Sequence, residues 1–200
     1  ANNMVKKGKG ILAADESNPT CGKRFESIGV ESSFENRNEY RDMLFSAKGI
    51  EEYISGVIMF DETFRQSTTC DNKINFPEYL TSKGIIPGIK VDTGAKDLAG
   101  FSNEKITEGL DGLRERLVEY FDMGARFAKW RAVININDTF PSLGAIEANT
   151  HALARYAALC QENGIVPIVE PEVLMDGSHD INRCYEVSCQ TLDILFDQLS

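Results

Sequence analysis

The chain has 200 residues, of which 42% are hydrophobic and 26% are charged. This composition is typical of a folded globular protein and excludes the disordered and fibrous classes. The net charge of -10, with lysines and arginines dispersed, argues against nucleic acid or an anionic membrane as a partner, because both need a basic face. An anionic substrate would therefore have to be bound by a local cluster of cations.

No apolar run approaches the roughly 18 residues that a membrane-spanning helix needs. The first residues, Ala-Asn-Asn-Met, include neither the apolar stretch of a signal peptide nor an initiator methionine, so we expect a cut N-terminus. The five cysteines form no CxxC pair and predict reduced thiols in an intracellular compartment. His151 and His179 lack the spacing of metal ligands, and we expect neither a metal nor another cofactor.

Five short apolar or β-branched runs recur along the chain, and each is followed by a polar turn and a stretch with helical periodicity. This alternation predicts βα units, spaced roughly every 30 to 45 residues as a strand and its crossover helix require. Gly84, Gly124 and Gly164 mark turns from helix to strand, and Ser32 with Glu35 predicts a capping box at a helix start. The predicted strands span residues 10–15, 53–60, 85–92, 125–131 and 165–172.

Three of the predicted strands carry charged residues two positions apart, a spacing that places both on one face. In an open, doubly wound sheet covered by helices on both sides, such charges would face an apolar layer. The mouth of a (βα)8 barrel, at the carboxyl ends of its strands, is polar, and the pairs fall at the ends of their runs. The pattern therefore favours a barrel, of which residues 1–200 supply about the first five units in one partial domain. The pairs are Lys90 with Asp92, Lys129 with Arg131, and Glu170 with Glu172.

The carboxylates of Glu170 and Glu172 lie one strand repeat apart, so that each raises the affinity of the other for a proton. Such a pair suits general acid–base catalysis. The same residues could instead form structural ion pairs with lysines of neighbouring strands. Lys129 and Arg131, expected on the adjacent strand, favour the catalytic interpretation.

Lys90, Lys129 and Arg131 form a cationic group in an otherwise acidic protein, as binding of a phosphorylated sugar requires. They could also serve only in salt bridges, although isolated ion pairs stabilise a fold little. Lysines crowded in a partly dry pocket can act as amine nucleophiles, so the residues alone leave Lys90 and Lys129 open as Schiff-base formers. Asp15, after the first strand, is a candidate base, or else simply opens a turn.

Five collinear motifs, from residue 8 onward, match one known family. They are GKGILAADES at 8–17, GIKVD at 88–92, GLDG at 109–112, FAKWR at 127–131 and VPIVEPE at 166–172. Together they resemble class I fructose-bisphosphate aldolase. The local sequence at residues 18–24 and 52–56 is similar to that of plant and plastid-type members. Thr93, where the family usually has a lysine, and Pro19 depart from the pattern and affect loop details.

The resemblance implies a homotetrameric (βα)8 barrel that reversibly cleaves fructose 1,6-bisphosphate to glycerone phosphate and glyceraldehyde 3-phosphate without a metal. It implies a place in glycolysis and gluconeogenesis or the Calvin cycle, in the cytoplasm or the plastid stroma. The family's Schiff-base lysine lies on the sixth strand, which we expect beyond Ser200, so the 200 residues alone are expected to be inactive.

The resemblance also assigns roles to individual residues. It implies acid–base catalysis by Glu170 with Glu172 as its close partner, assistance to bond cleavage by Asp15, and stabilisation of the imine-forming steps by Lys129. The residues it implies for substrate binding are Ser17, Arg24, Arg37, Lys90 and Arg131. Two alternatives stay open: a different Schiff-base barrel resembling transaldolase that uses a lysine within the chain, and a non-catalytic interaction module.

Overall fold

The computed structural model describes residues 1–70 and 72–200, which form seven strands and eight helices. The strands are β1 (Gly10–Ala14), β2 (Ile54–Met59), β3 (Ile86–Lys90), β4 (Gly94–Asp97), β5 (Lys105–Glu108), β6 (Phe127–Ile134) and β7 (Val166–Val173). The helices are α1 (Asn18–Glu26), α2 (Phe34–Phe45), α3 (Ile50–Tyr53), α4 (Asp61–Phe64), α5 (Phe76–Ser82), α6 (Leu113–Asp122), α7 (Leu143–Glu162) and α8 (Ile181–Leu199).

The predicted alternation of strands and helices is confirmed, because the five predicted runs are the strands β1, β2, β3, β6 and β7. Most predicted strand ends were off by one or two residues, as at β3, which ends at Lys90 rather than at residue 92, and the end of β6 was off by three. β6 ends at Ile134 rather than at residue 131, since the apolar run continues through Ala132 and Val133. Lys129 and Arg131 therefore lie within their strand and not at its end. The antiparallel pair of β4 with β5 was not predicted.

The chain divides into two compact units, the first comprising Ala1–Lys90 with Glu119–Ala128 and the second Val91–Val118 with Lys129–Ser200. In the first unit, β2 pairs in parallel with both β1 and β3, and Met59 lies opposite Ala14 on one side and Ile89 on the other. Apolar residues at successive positions of β2 are buried, as expected for a parallel strand covered on both faces. Phe45 of α2 and Phe76 of α5 add an edge-to-face ring pair with centroids 5.0 Å apart to this core.

Glycine is required at one point of this core, where the backbone of β3 passes the ring of Phe127. A Cβ atom at Gly88 would lie 2.2 Å from Cζ of that ring, and one at Gly56 of β2 would lie 2.9 Å from its Cε1. Both glycines therefore make room for a fully buried aromatic side chain.

In the second unit, β6 and β7 are neighbours, and α7 packs on β7 and α8. Exposure alternates along β6: Trp130 and Ala132 are buried, whereas Lys129 and Arg131 are more accessible. Trp130 packs against Tyr156 of α7 with ring centroids 5.5 Å apart. The apolar face of β6 is thus turned to its helix layer and the charged face away from it, as the period of two predicts.

Side chains cap three of the described helices, α2, α7 and α8, and one predicted cap is corrected. α2 is capped by Ser33, whose hydroxyl accepts from the N–H of Asn36, and not by Ser32 as predicted. Asp180 caps α8 by accepting from the N–H of Arg183 at 2.9 Å.

Candidate active site

Asp15 directly follows β1, at the carboxyl end of the strand, and is 8% exposed. Ser17 is the residue before α1, and its hydroxyl lies 3.1 Å from that of Thr20. Pro19 occupies the first turn of this helix, where its missing N–H costs no hydrogen bond. The departure that Pro19 makes from the aldolase pattern is therefore compatible with the local structure.

Glu16, between these two residues, is held by two arginines. Arg24 of α1, with its side chain 57% exposed, and the buried Arg41 of α2 both form ion pairs with its carboxylate. Burial tends to raise the pKa of Glu16, but its own backbone hydrogen bond and the charge of Arg41 outweigh this and lower the pKa overall. Glu16 therefore stays ionised, and Arg24 already has an anionic partner.

Arg37 of α2 forms a two-point ion pair with Glu62 of α4, with Nε to Oε1 at 2.6 Å and Nη2 to Oε2 at 2.8 Å. The amide of Asn18 donates to the same carboxylate at 3.2 Å. The hydrogen bonds from Arg37 hold the pKa of Glu62 below its usual value, against the opposing effect of partial burial. A phosphate reaching Arg37 would have to share this guanidinium with Glu62.

This ion pair should make stability depend on pH. Because the folded pKa of Glu62 is lower than the unfolded value of about 4.3, its stabilisation is complete above that value and is lost as the pH falls through the folded pKa. The loss of unfolding free energy caused by Arg37→Met should therefore be larger at pH 7 than at pH 3. Denaturant unfolding at both pH values measures it.

The matched control for that experiment is Arg114→Met. Arg114 pairs with Glu162, but both side chains are 54% exposed, so removing this pair should change stability little at either pH. An Arg37→Met effect of the same size at pH 7 and pH 3 would contradict the role of Glu62.

In the second unit, each carboxylate of β7 faces a cation of β6. Lys129 Nζ lies 3.6 Å from Glu170 Oε2, and the guanidinium of Arg131 contacts Glu172. The Arg131 contact is an ion pair without the alignment of a hydrogen bond, since Glu172 Oε2 has no hydrogen-bond partner among the described residues. These are the ion pairs between neighbouring strands that the sequence left open as the structural alternative. They are also compatible with catalysis, because an ammonium beside a carboxylate can pass a proton to and from a bound substrate.

Asp92 accepts hydrogen bonds from the main chain of two neighbouring segments. It lies beyond the end of β3 and is buried, with Oδ2 accepting from the N–H of Arg131 at 3.3 Å and Oδ1 from that of Gly94 at 3.1 Å. The carboxylate therefore ties the middle of β6 to the start of β4. Lys90 is the last residue of β3, in the first unit.

The structure thus groups the predicted residues by unit: Asp15, Ser17, Arg24, Arg37 and Lys90 in the first, and Lys129, Arg131, Glu170 and Glu172 in the second. Sequence reasoning missed Glu16, Arg41 and Glu62, the partners of the arginines. No sequence pattern marked these three residues, because each is one of several charged residues in its segment. Among the described residues, no group of three or more His, Cys, Asp or Glu side chains is arranged to hold a metal ion, and none of the helices is long and apolar enough to cross a membrane.

Comparison with known proteins gives one consistent result. The family model described as fructose-bisphosphate aldolase class-I matches residues 1–200. A probable fructose-bisphosphate aldolase class 1 from Xanthomonas axonopodis pv. citri is 62% identical over 98% of this chain and 58% of its own length. The cytosolic fructose-bisphosphate aldolase 4 of Arabidopsis thaliana is 53% identical over 96% of this chain and 49% of its own length.

A solved structure of fructose-bisphosphate aldolase from Plasmodium falciparum, in complex with TRAP and a small-molecule inhibitor, is similar throughout. Its TM-score is 0.95 at 47% identity, covering 98% of this chain and 57% of that one. The chain therefore spans between about half and three fifths of the length of these relatives. Its parallel strands and their helices are the first part of a (βα)8 barrel rather than an open sheet, as predicted. The chain belongs to the class I fructose-bisphosphate aldolase family.

Proposed function

We propose that the protein containing this chain cleaves fructose 1,6-bisphosphate reversibly to glycerone phosphate and glyceraldehyde 3-phosphate through a lysine Schiff base. Family membership supports the reaction class. The observation that carries the mechanism is the contact of Lys129 with Glu170, 3.6 Å apart on neighbouring strands, with Arg131 and Glu172 on the same two strands. This arrangement places a candidate proton donor, a candidate proton acceptor and a cation that could bind phosphate close to one another on two neighbouring strands.

In the proposed mechanism, each of these side chains assists one step of the cleavage reaction. A lysine amine adds to the C2 carbonyl, and the resulting carbinolamine loses water when its hydroxyl is protonated, a step that suits Glu170 with Glu172 beside it. The Lys129 ammonium stabilises the oxyanion that develops at this carbon. The protonated imine then accepts the electron pair released when the C3–C4 bond breaks, while Asp15 assists removal of the proton from the C4 hydroxyl.

Four cations and one serine are the candidates for substrate binding. We propose that Ser17, Arg24, Arg37, Lys90 and Arg131 contact the substrate or its phosphates. Arg131 and Arg24 are each about half exposed while ion-paired, so a dianionic phosphate can exchange with or join their present carboxylate partners. Arg37 has the more enclosed pair and is the cation least open to a ligand.

We propose that the nucleophilic lysine lies outside these 200 residues. The resemblance to class I aldolases carries this proposal, because it puts the Schiff-base lysine on a sixth barrel strand, and the sheet formed by the described residues has five strands. Borohydride reduction of the full-length protein with glycerone phosphate, followed by peptide mapping, should label a lysine beyond Ser200. Label on Lys129 or Lys90 would instead support the transaldolase-like alternative.

The 200 residues alone are expected to give no cleavage and no borohydride-trapped adduct. The full-length protein, expressed from the complete coding sequence that contains this chain, is the positive control. An inactive full-length protein would favour the interaction module. For that protein we also propose a homotetramer, to be measured by light scattering. We propose a cytoplasmic location as well, which the similarity to cytosolic and cytoplasmic plant aldolases supports over the plastid stroma.

A further inference from the structure

Arg41 of α2 is a charged side chain that is only 1% exposed, and the proposed reaction does not use it. Its guanidinium donates to Glu16 Oε2 at 2.5 Å, to the main-chain oxygen of Glu16 at 2.9 Å and to Thr63 Oγ1 at 3.3 Å. It also lies 3.4 Å from Cys21 Sγ. One side chain thus joins α2, α4, α1 and the end of β1, all within the first unit.

Stability alone is a poor explanation for this cluster of Arg41, Glu16, Thr63 and Cys21. Removing a guanidinium from water is costly, and replacing a buried ion pair by well-packed apolar residues is often neutral or stabilising. An apolar replacement could not orient Glu16, because it has no hydrogen-bond donors. Arg41 holds both the side chain and the carbonyl of Glu16, and its planar fork suits such two-point contact better than a lysine ammonium would.

Glu16 is the residue directly between Asp15 and Ser17. A planar peptide bond joins it to Asp15, so a fixed Glu16 limits the freedom of its neighbour to rotations about two backbone bonds. β1 restrains the chain before Asp15, and α1 begins directly after Ser17. The backbone of Asp15, and with it the direction of its Cα–Cβ bond, is therefore restrained by β1 on one side and by the turn at Glu16, which Arg41 binds, on the other.

We infer that Arg41 is a positioning residue for Asp15: by fixing Glu16 through its carboxylate and its carbonyl, it sets the direction in which the Asp15 carboxyl leaves β1. This inference rests on the proposed function, in which Asp15 assists cleavage of the C3–C4 bond. Arg41 itself is not expected to touch the substrate. Because bond cleavage follows formation of the imine, a displaced Asp15 should impair the later step and spare the earlier one.

The test compares Arg41→Lys and Arg41→Met with the wild-type full-length protein. We expect kcat for cleavage to fall about 10- to 100-fold in both variants, the size of loss that a misplacement of about 1 Å can cause. The rate of borohydride trapping with glycerone phosphate should stay near the wild-type rate. Hydrogen exchange of a peptide covering residues 12–18 should become faster, which tests the restraint on Asp15 without any reaction.

Arg126→Met is the matched control, because Arg126 also binds main-chain carbonyls in the first unit, those of Phe121 and Ala125, but lies away from β1. It should leave kcat and the exchange of residues 12–18 unchanged. Parallel losses of trapping and cleavage in the Arg41 variants, each matching the folded fraction from circular dichroism, would overturn the inference. So would unchanged exchange of residues 12–18. A wild-type protein that is neither trapped nor active would contradict the proposed function, and the exchange comparison would still decide whether Arg41 restrains Asp15.

Discussion

Replacing Glu170 by glutamine in the full-length protein is expected to lower kcat for fructose 1,6-bisphosphate cleavage by about 10²- to 10⁴-fold, the usual contribution of a general acid–base group. Glutamine keeps the size of the side chain but cannot transfer a proton. It also removes the negative charge that faces Lys129 at 3.6 Å. The predicted loss should appear in both directions of the reaction, because the proposed mechanism uses the same group for imine formation and for imine hydrolysis.

Steady-state assays of cleavage, combined with borohydride trapping, measure this effect. Glu186→Gln is the control, since Glu186 is an exposed residue of α8 that pairs only loosely with Arg183 in the same helix. A Glu170→Gln variant that keeps kcat within about threefold of wild type would remove Glu170 from the mechanism and leave the contact with Lys129 as a structural ion pair.

Gly88→Ala is expected to be the most damaging small substitution in the first unit. The added methyl group would lie 2.2 to 2.5 Å from three atoms of the Phe127 ring, a buried group without space to move. Overpacking of this kind typically costs about 1 to 3 kcal/mol and sometimes more, and the severity of the contacts places this site at the upper end of that range. Thermal and denaturant unfolding measure the loss.

Two further variants test whether the loss of stability in Gly88→Ala comes from the contact with Phe127 or from any glycine-to-alanine change in a strand. At Gly10 of β1, no atom of the described residues lies within 4 Å of an added Cβ, so Gly10→Ala should change stability by no more than about 0.5 kcal/mol. Phe127→Leu should partly rescue Gly88→Ala, giving a double variant more stable than the sum of the two single effects. Equal stability of the Gly88→Ala and wild-type proteins would show that β3 can shift to accept the methyl group.

The five barrel strands could be predicted from the sequence because their signal is local. Apolar and β-branched residues repeat, and glycines mark the turns before three of the strands. The face shared by Lys129 and Arg131 was predictable for the same reason, since a period of two needs no knowledge of the fold. β4 and β5 could not be predicted, because each has only four residues, both carry charged side chains, and their pairing joins residues 94 and 108 across a turn.

The ion-pair partners of Arg37 and Arg41 could not be predicted from the sequence for a different reason. Arg41 contacts Glu16 across a separation of 25 residues, and Arg37 contacts Glu62 across the same separation. No periodicity links such positions, so only the packed structure brings them together. The choice of Ser33 over Ser32 as a helix cap is the opposite case, where two adjacent serines are equally suitable and backbone geometry alone decides.

The packing of Trp130 gives this protein a built-in optical reporter. It is the only tryptophan in the sequence, it is fully buried against Tyr156, and its indole nitrogen has no hydrogen-bond partner among the described residues. An indole in such a dry, apolar setting emits at short wavelength, and water reaching it moves the emission to the red. Since Trp130 stands between Lys129 and Arg131 in the chain, its fluorescence follows, without any label, whether the strand that carries both cations stays packed on α7.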